Sequence, residues 1–183
     1  MNGSNLKAER ASTVVLLAMV LLMGATCCGS VRILTGQQRS GPGRVTVDRV
    51  VDGDTVDLHF PSGTERVRLL GSDTPETVKP NSPIQCFGPE ASARTKALLP
   101  HGMAVRVERD TEARDRYGRL LLYVYRSIDG MFVNRALVIE GYARILSITP
   151  NTAHAPDLAT AAASADRAGR GLWSQCGTPT NPP

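Results

Sequence analysis

The sequence is poor in the residues on which most catalytic chemistries depend. Histidine occurs only at His59, His101 and His154, too scattered to make a zinc ligand set. No C-x-x-C pair and no G-x-x-x-x-G-K-[ST] phosphate loop is present. Nor can a Ser-His-Asp or Cys-His set be assembled, so P-loop phosphoryl transfer and the common acyl-transfer nucleophiles are excluded. There is no internal repeat, and the one extended apolar run, Thr13 to Cys28, is short for a membrane span of about 20 residues. Lysine is scarce too, at Lys7, Lys79 and Lys96, so arginine supplies nearly all the positive charge. A guanidinium fork pairs bidentately with phosphate where an ammonium acts as a point charge, although a genome-wide base-composition bias gives the same enrichment.

Lys7 and Arg10 precede that apolar run, and Gly24, Ala25 and Thr26 close it. A basic n-region, an apolar h-region and a small-residue exit are the layout of a signal peptide. An uncleaved signal anchor and an internal helix are the alternatives. Lipidation at Cys27 or Cys28 is a further one, though the leucine expected three residues before the cysteine is absent from both. The expected organisation is therefore a signal peptide or N-terminal membrane anchor over 1–29, a flexible linker over 30–43 that includes "TGQQRSGPG", a folded domain over 44–176 and a disordered tail over 177–183. The chain is then exported, either secreted or anchored to the outer face of the cell membrane, with membrane contact only through the N-terminal segment. Export makes thiol pairing possible. Cys86 and Cys176, the thiols beyond residue 29, form either a disulfide tying the loop before one helix to the C-terminal end or two buried free thiols.

The chain has 21 Lys+Arg and 17 Asp+Glu. Setting aside Lys7, Arg10 and Glu9 leaves 19 against 16, a mild basic excess that gives limited support to a polyanionic partner. From Arg44 onward short strands appear: "RVTVDRVV", then "DTVDLHF", where Val56, Leu58 and Phe60 alternate with Asp57 and His59, then a turn into "ERVRLL". Period-two alternation broken by turn residues predicts a three-strand meander. "GPEASARTKALLP" predicts a helix with Pro89 at its start, Glu90 at the positive end of its dipole and Pro100 at its end. "MAVRVERD" and "RLLLYVYR" predict two more strands around a charged turn, "VNRALVIEGY" a helix stopped at Gly141, and "PDLATAAASADRAGRG" an Ala-rich helix. The fold class is α+β, mainly β: a five-stranded Greek-key barrel of the OB type with about three short helices.

Two acidic pieces stand at strand edges, "VDGDT" with Asp52 and Asp54 and "SDTPE" with Asp73 and Glu76. Hard oxygen donors suit Ca²⁺ or Mg²⁺. Taken singly, D-G-D reads equally as a hairpin bend, Asp73 as a turn cap and Glu76 as a solvated side chain. Arg68 falls on the strand face opposite Val67 and Leu69, ordinarily a solvated or ion-paired position. "RDRYGR", residues 114–119, is a charge-rich turn carrying Arg116 and Arg119. Together, two arginines, several carboxylates and a divalent-cation site are the inventory for phosphodiester hydrolysis.

In order and spacing, "VDGDTV", "VRLLGSDTPET", "FGPEASARTKALL", "DRYGRLLLYVY", "VNRALVIEGYAR" and "GLWS" resemble the staphylococcal nuclease (thermonuclease) family over about residues 44–174. The resemblance implies an OB-fold barrel and a Ca²⁺-dependent nuclease that hydrolyses DNA and RNA to 3′-phosphate products. By matching position it implies Asp54, Asp73 and the Thr74 carbonyl as calcium ligands, and Glu76 as general base. Arg68 and Arg119 would be the phosphate clamp, with Arg116 and Tyr117 near a terminal phosphate. Where the founding member carries tyrosines after the second helix, this chain reads "RILSITP", so Ser147 and Thr149 replace groups whose stacking on a base is worth about 1–3 kcal/mol. Cys86 and Cys176 are additions to the founding pattern. A monomer is expected. The alternatives are an inactive barrel that binds nucleic acid or a protein partner at the cell envelope, and an envelope protein whose acidic loop binds calcium for stability alone. Degenerate copies usually lose acidic or arginine positions, and this chain keeps them all.

Overall fold

In a computed structural model of the chain, residues 43–77 and 83–176 are described. The predicted segment 1–29, all but the last residue of the 30–43 linker and the tail 177–183 lie outside the described residues. Among the described residues, no helix is long and apolar enough to cross a membrane.

Three consecutive strands form the expected meander: β1 (Val45–Asp52), β2 (Thr55–Phe60) and β3 (Gly63–Leu69). A short β4 (Gly71–Asp73) leads to α1 (Gly88–Leu98), then to β5 (Ala104–Arg114) and β6 (Leu120–Arg126). α2 (Val133–Ile139), β7 (Arg144–Leu146), α3 (Ala155–Arg167) and α4 (Leu172–Gln175) complete the order. The five longer strands close into a barrel in the order β1-β2-β3-β6-β5, and β4 pairs with β7 as a separate two-stranded sheet. All contacts in the barrel are antiparallel except β3 with β6, which run parallel through Val67↔Leu120, Arg68↔Leu121 and Leu69↔Leu122. Two irregularities in β1, between Val47 and Arg49 and between Val50 and Asp52, add the local bend that barrel closure requires.

Alternation decides which side chains fill the barrel. Val56 and Leu58 on β2, Val67 and Leu69 on β3, and Leu122 and Val124 on β6 are essentially inaccessible to water, and each contributes about 1.5–3 kcal/mol of burial. The helices close the barrel with apolar stripes at helical spacing, as α3 does with Leu158, Ala161, Ala162 and Ala165. Asn134, fully buried on α2, donates to the carbonyls of Leu70 and Leu122 and accepts from the Val124 amide. It thereby fastens the helix to the point where β3 passes into β4. The segment before α3 is fastened to β5 by carboxylates: Glu108 meets His154 at 2.9 Å and accepts from Tyr125, while Asp110 accepts from Tyr123 and from the Ala153 amide.

The Cys86–Cys176 disulfide is formed, joining the residue two before α1 to the residue just past α4. The β4–β7 sheet and α4 are additions to the elements predicted. Three-residue strands and a one-turn helix carry no measurable periodicity.

Candidate active site

The barrel topology gathers the charged residues at one end. Antiparallel pairing of Thr55 with Arg68 sets Asp54 beside the end of β3, where the Leu69 amide donates to the Asp54 carbonyl at 2.9 Å. Parallel pairing of Val67 with Leu120 brings Arg119, the residue before β6, alongside Arg66 and Arg68. The short sheet pairs Asp73 with Arg144 and holds the chain that continues to Glu76. Asp54, Asp73, Thr74, Glu76, Arg68 and Arg119 all line one open cleft of about 510 Å³.

Arg68 is the electrostatic centre of this cleft. Alternation puts it outside the barrel core, yet the turn into β4 folds over it and leaves it 5% exposed. Its guanidinium donates to the main-chain carbonyls of Leu69 and Ser72. It also pairs with Asp54 at 3.1 Å and Asp73 at 2.8 Å. One cation therefore bridges two carboxylates from separate loops. Burial pushes the Asp73 pKa up, Arg68 opposes that, and the Asp54 charge pushes it further up, so that the net direction is upward.

Asp54 is itself 8% exposed and accepts from both the amide (2.9 Å) and hydroxyl (3.1 Å) of Thr74. These two bonds splice the "VDGDT" bend to the "SDTPE" loop. Gly53 makes the approach possible, because a Cβ there would lie 2.5 Å from the Thr74 hydroxyl oxygen. Asp52, 5% exposed, ties the far side of the loop: its carboxylate accepts from the Thr77 amide and hydroxyl and from the Gly53 amide. "VDGDT" thus acts as a two-sided clasp rather than a simple bend.

Glu76 accepts from the Thr77 amide at 3.0 Å, and its own amide donates to the Gln85 side-chain oxygen at 2.8 Å. Arg119 donates from Nε to Asp115 at 2.7 Å. Burial raises the Asp115 pKa, but the bonds from the Arg119 side chain and from the Arg119 and Tyr117 amides outweigh it, and the net direction is downward. Tyr117 is 68% exposed and lines an adjoining cleft that also contains Arg66 and Arg119. Arg116 lines neither of these clefts. It lies over the Tyr117 ring and donates to the Tyr117 hydroxyl at 2.7 Å.

Three polar lining residues, Arg66, Thr55 and Gln85, were not singled out from sequence. Arg66 is two positions before Arg68 on the same strand face, so period two could have found it; it pairs with Asp57 at 2.9 Å, which also meets Arg49 at 2.8 Å. Thr55 follows Asp54 and donates to it at 3.1 Å. Gln85 has no charge and belongs to no motif, and only the fold reveals it.

Among the described residues, no three His, Cys, Asp or Glu side chains gather into one metal ligand set. The site instead offers two carboxylates, Asp54 and Asp73, that touch a shared cation. Their oxygens lie within reach of one positive centre, and they repel each other across it. Hard carboxylate oxygen donors of this kind fit a calcium or magnesium ion.

The family model described as Staphylococcal nuclease homologue matches residues 66–175. Thermonuclease of Staphylococcus intermedius is 43% identical over 129 residues, 70% of this chain and 75% of its own length. Endonuclease YncB of Bacillus subtilis (strain 168) is 41% identical over 139 residues, 75% of this chain and 64% of its own. The SPbeta prophage-derived endonuclease YokF of the same strain is 41% identical over 139 residues, 75% of this chain and 46% of its own. The chain therefore spans less than two thirds of the two Bacillus relatives. A family model that covers more than half of the chain, relatives above 40% identity and a closed five-strand barrel agree: the chain belongs to the staphylococcal nuclease family.

Proposed function

We propose that the chain is a calcium-dependent nuclease that hydrolyses phosphodiester bonds of DNA and RNA and leaves 3′-phosphate ends. The observation that carries this reading is the convergence of Asp54, Asp73, Glu76, Arg68 and Arg119 on one open cleft. Family membership and relatives named thermonuclease and endonuclease add to it.

In this reading Arg68 and Arg119 receive the nonbridging oxygens of the scissile phosphate from two sides. Guanidinium donors aimed at charge that grows in the transition state are the largest single source of rate enhancement in such sites. Glu76 orients a water against phosphorus, in line with the 5′ oxygen, and takes its proton; as the water oxygen bonds to phosphorus the P–O5′ bond breaks, and the 5′ oxygen leaves as the alcohol with a proton from solvent. Carboxylates in this role contribute roughly 100- to 10,000-fold. Asp54 and Asp73, with the Thr74 carbonyl, would hold the calcium. When bound, the ion neutralises phosphate charge as a Lewis acid. Tyr117, exposed beside Arg119, would meet the chain beyond the scissile phosphate, with Arg116 held against its ring. We also propose export to an oxidising compartment, a reading supported by the Cys86–Cys176 bridge.

The test is digestion of single-stranded DNA and of RNA by the purified chain, with calcium or with a chelator, followed by end-group analysis. Calcium-dependent release of 3′-phosphate ends is expected. Binding without release of nucleotides in either condition would replace the nuclease with a non-cutting member of the family.

A further inference from the structure

A general base on a loop needs more than a carboxylate, because a displacement of about 1 Å can cost roughly 100-fold in rate. Glu76 lies between β4 and α1, beyond the last residue of β4, so its position depends on specific ties. Two of its main-chain groups go to one partner: the Glu76 amide donates to the Gln85 side-chain oxygen at 2.8 Å, and the Gln85 amide donates to the Glu76 carbonyl at 3.0 Å. Gln85 also lines the cleft.

Gln85 is exposed, yet the three residues after it are fixed. Cys86 is bonded to Cys176. Phe87 has φ +68° and stacks on Tyr142 with ring centroids 5.4 Å apart. The Gly88 amide donates back to the Gln85 carbonyl at 3.0 Å, and a Cβ at Gly88 would crowd the Glu76 and Pro75 carbonyls at 3.1 and 3.2 Å. The start of α1 is thus pressed against the Glu76 loop, and Gln85 is the residue that converts this contact into hydrogen bonds. A non-glycine residue at positive φ is held only where its surroundings determine it; here the Phe87–Tyr142 stack and the disulfide supply that restraint.

We infer that Gln85, anchored by the Cys86–Cys176 disulfide, is a positioning residue that fixes Glu76 in the cleft. The inference rests on the nuclease reading for its catalytic consequence. An amide suits the task, since it accepts the Glu76 N–H without adding charge beside the base. Glutamate at this position keeps an oxygen acceptor for that N–H, whereas alanine removes it.

The experiment uses the full chain and its variants Gln85→Ala, Gln85→Glu and Cys86→Ser with Cys176→Ser. The readouts are kcat and KM on single-stranded DNA with calcium, and hydrogen exchange of the Glu76 amide followed by NMR without substrate. For Gln85→Ala, kcat falls about 10- to 100-fold, the scale of a misplaced group, KM changes by less than about twofold because the arginine clamp is intact, and the Glu76 amide exchanges faster. Gln85→Glu, which keeps an oxygen to accept the Glu76 N–H, retains most of kcat and of the Glu76 exchange protection; a Gln85→Glu variant as impaired as Gln85→Ala overturns the acceptor role. The paired cysteine variant loses part of kcat and part of the exchange protection. Parental kcat or parental Glu76 exchange in Gln85→Ala overturns the positioning role, and parental values of both in the cysteine variant overturn the anchor. A parental chain that digests nothing contradicts the nuclease reading instead, and the substrate-free exchange rates tell the two failures apart.

Discussion

Arg68 and Arg119 face the same cleft from opposite kinds of surroundings. Arg68 is buried under the turn into β4 and donates to two carbonyls while bridging Asp54 and Asp73. Arg119 sits at the mouth of the β5–β6 turn, a little over a quarter of its side chain accessible, and pairs with Asp115, four residues earlier in the same turn. The first is part of the fold as much as of the site, whereas the second is delivered to the site by a local turn. The same chemical group at two positions therefore carries different mixtures of stability and activity.

Arg68→Ala should have the largest effect, because it removes a transition-state donor and leaves Asp54 buried without its cation. Breaking a buried pair from one side costs about 3–5 kcal/mol, so urea denaturation should show a destabilisation of that size together with loss of digestion by more than about 100-fold. Arg68→Lys should restore little of either, since an ammonium cannot span two carbonyls and two carboxylates in one plane. Normal denaturation of Arg68→Ala would mean that the buried network is not a structural element.

Arg119→Ala sharpens the contrast. Digestion should again fall by about 100- to 1,000-fold, but the unfolding free energy from urea denaturation should change by less than about 1 kcal/mol, the scale of a partly exposed ion pair. If this variant unfolded as readily as Arg68→Ala, the division between a structural and a delivered arginine would collapse.

The smallest effect concerns pH and a carboxylate outside the proposed chemistry. Asp57, outside the barrel core yet only 5% exposed, is covered by Arg66 and Arg49. The hydrogen bond from Arg66 lowers its pKa, burial opposes this, and Arg49 adds to the lowering, for a net downward shift. The folded state therefore binds this proton less readily than the unfolded chain. Its contribution to stability is complete above the ordinary aspartate value of 3.8 and is lost as pH falls below it. Thermal melts of the parental chain should show Tm falling steeply in that acid range, and Asp57→Asn should flatten part of the slope while leaving the alkaline side unchanged.

Much of this division was legible in the sequence. Alternation located β1, β2 and β3, strand-like runs on either side of a charged turn located β5 and β6, and proline and glycine punctuation located the three longer helices. The ordered motifs marked Asp54, Asp73, Glu76, Arg68 and Arg119, which the barrel does bring to one cleft. Arg68 shows where the reading stopped: period two placed it opposite Val67 and Leu69, but whether that face is solvated depends on the β3–β4 turn folding over it. Arg116 marks another boundary, since motif position alone did not reveal that its guanidinium is turned onto Tyr117. Gln85 was out of reach for a different reason. Its partner is nine residues away along the chain, it has no charge, and its placement follows from a disulfide to residue 176.

Single-turnover cleavage of a single-stranded DNA oligomer by Glu76→Gln, at saturating calcium and enzyme, isolates the proposed general base from binding and from folding. DNA affinity should remain within about threefold of the parental chain while the cleavage rate drops by at least about 100-fold. Cleavage at the parental rate would show that Glu76 takes no proton, and the assignment of this cleft as the hydrolytic centre would have to be abandoned.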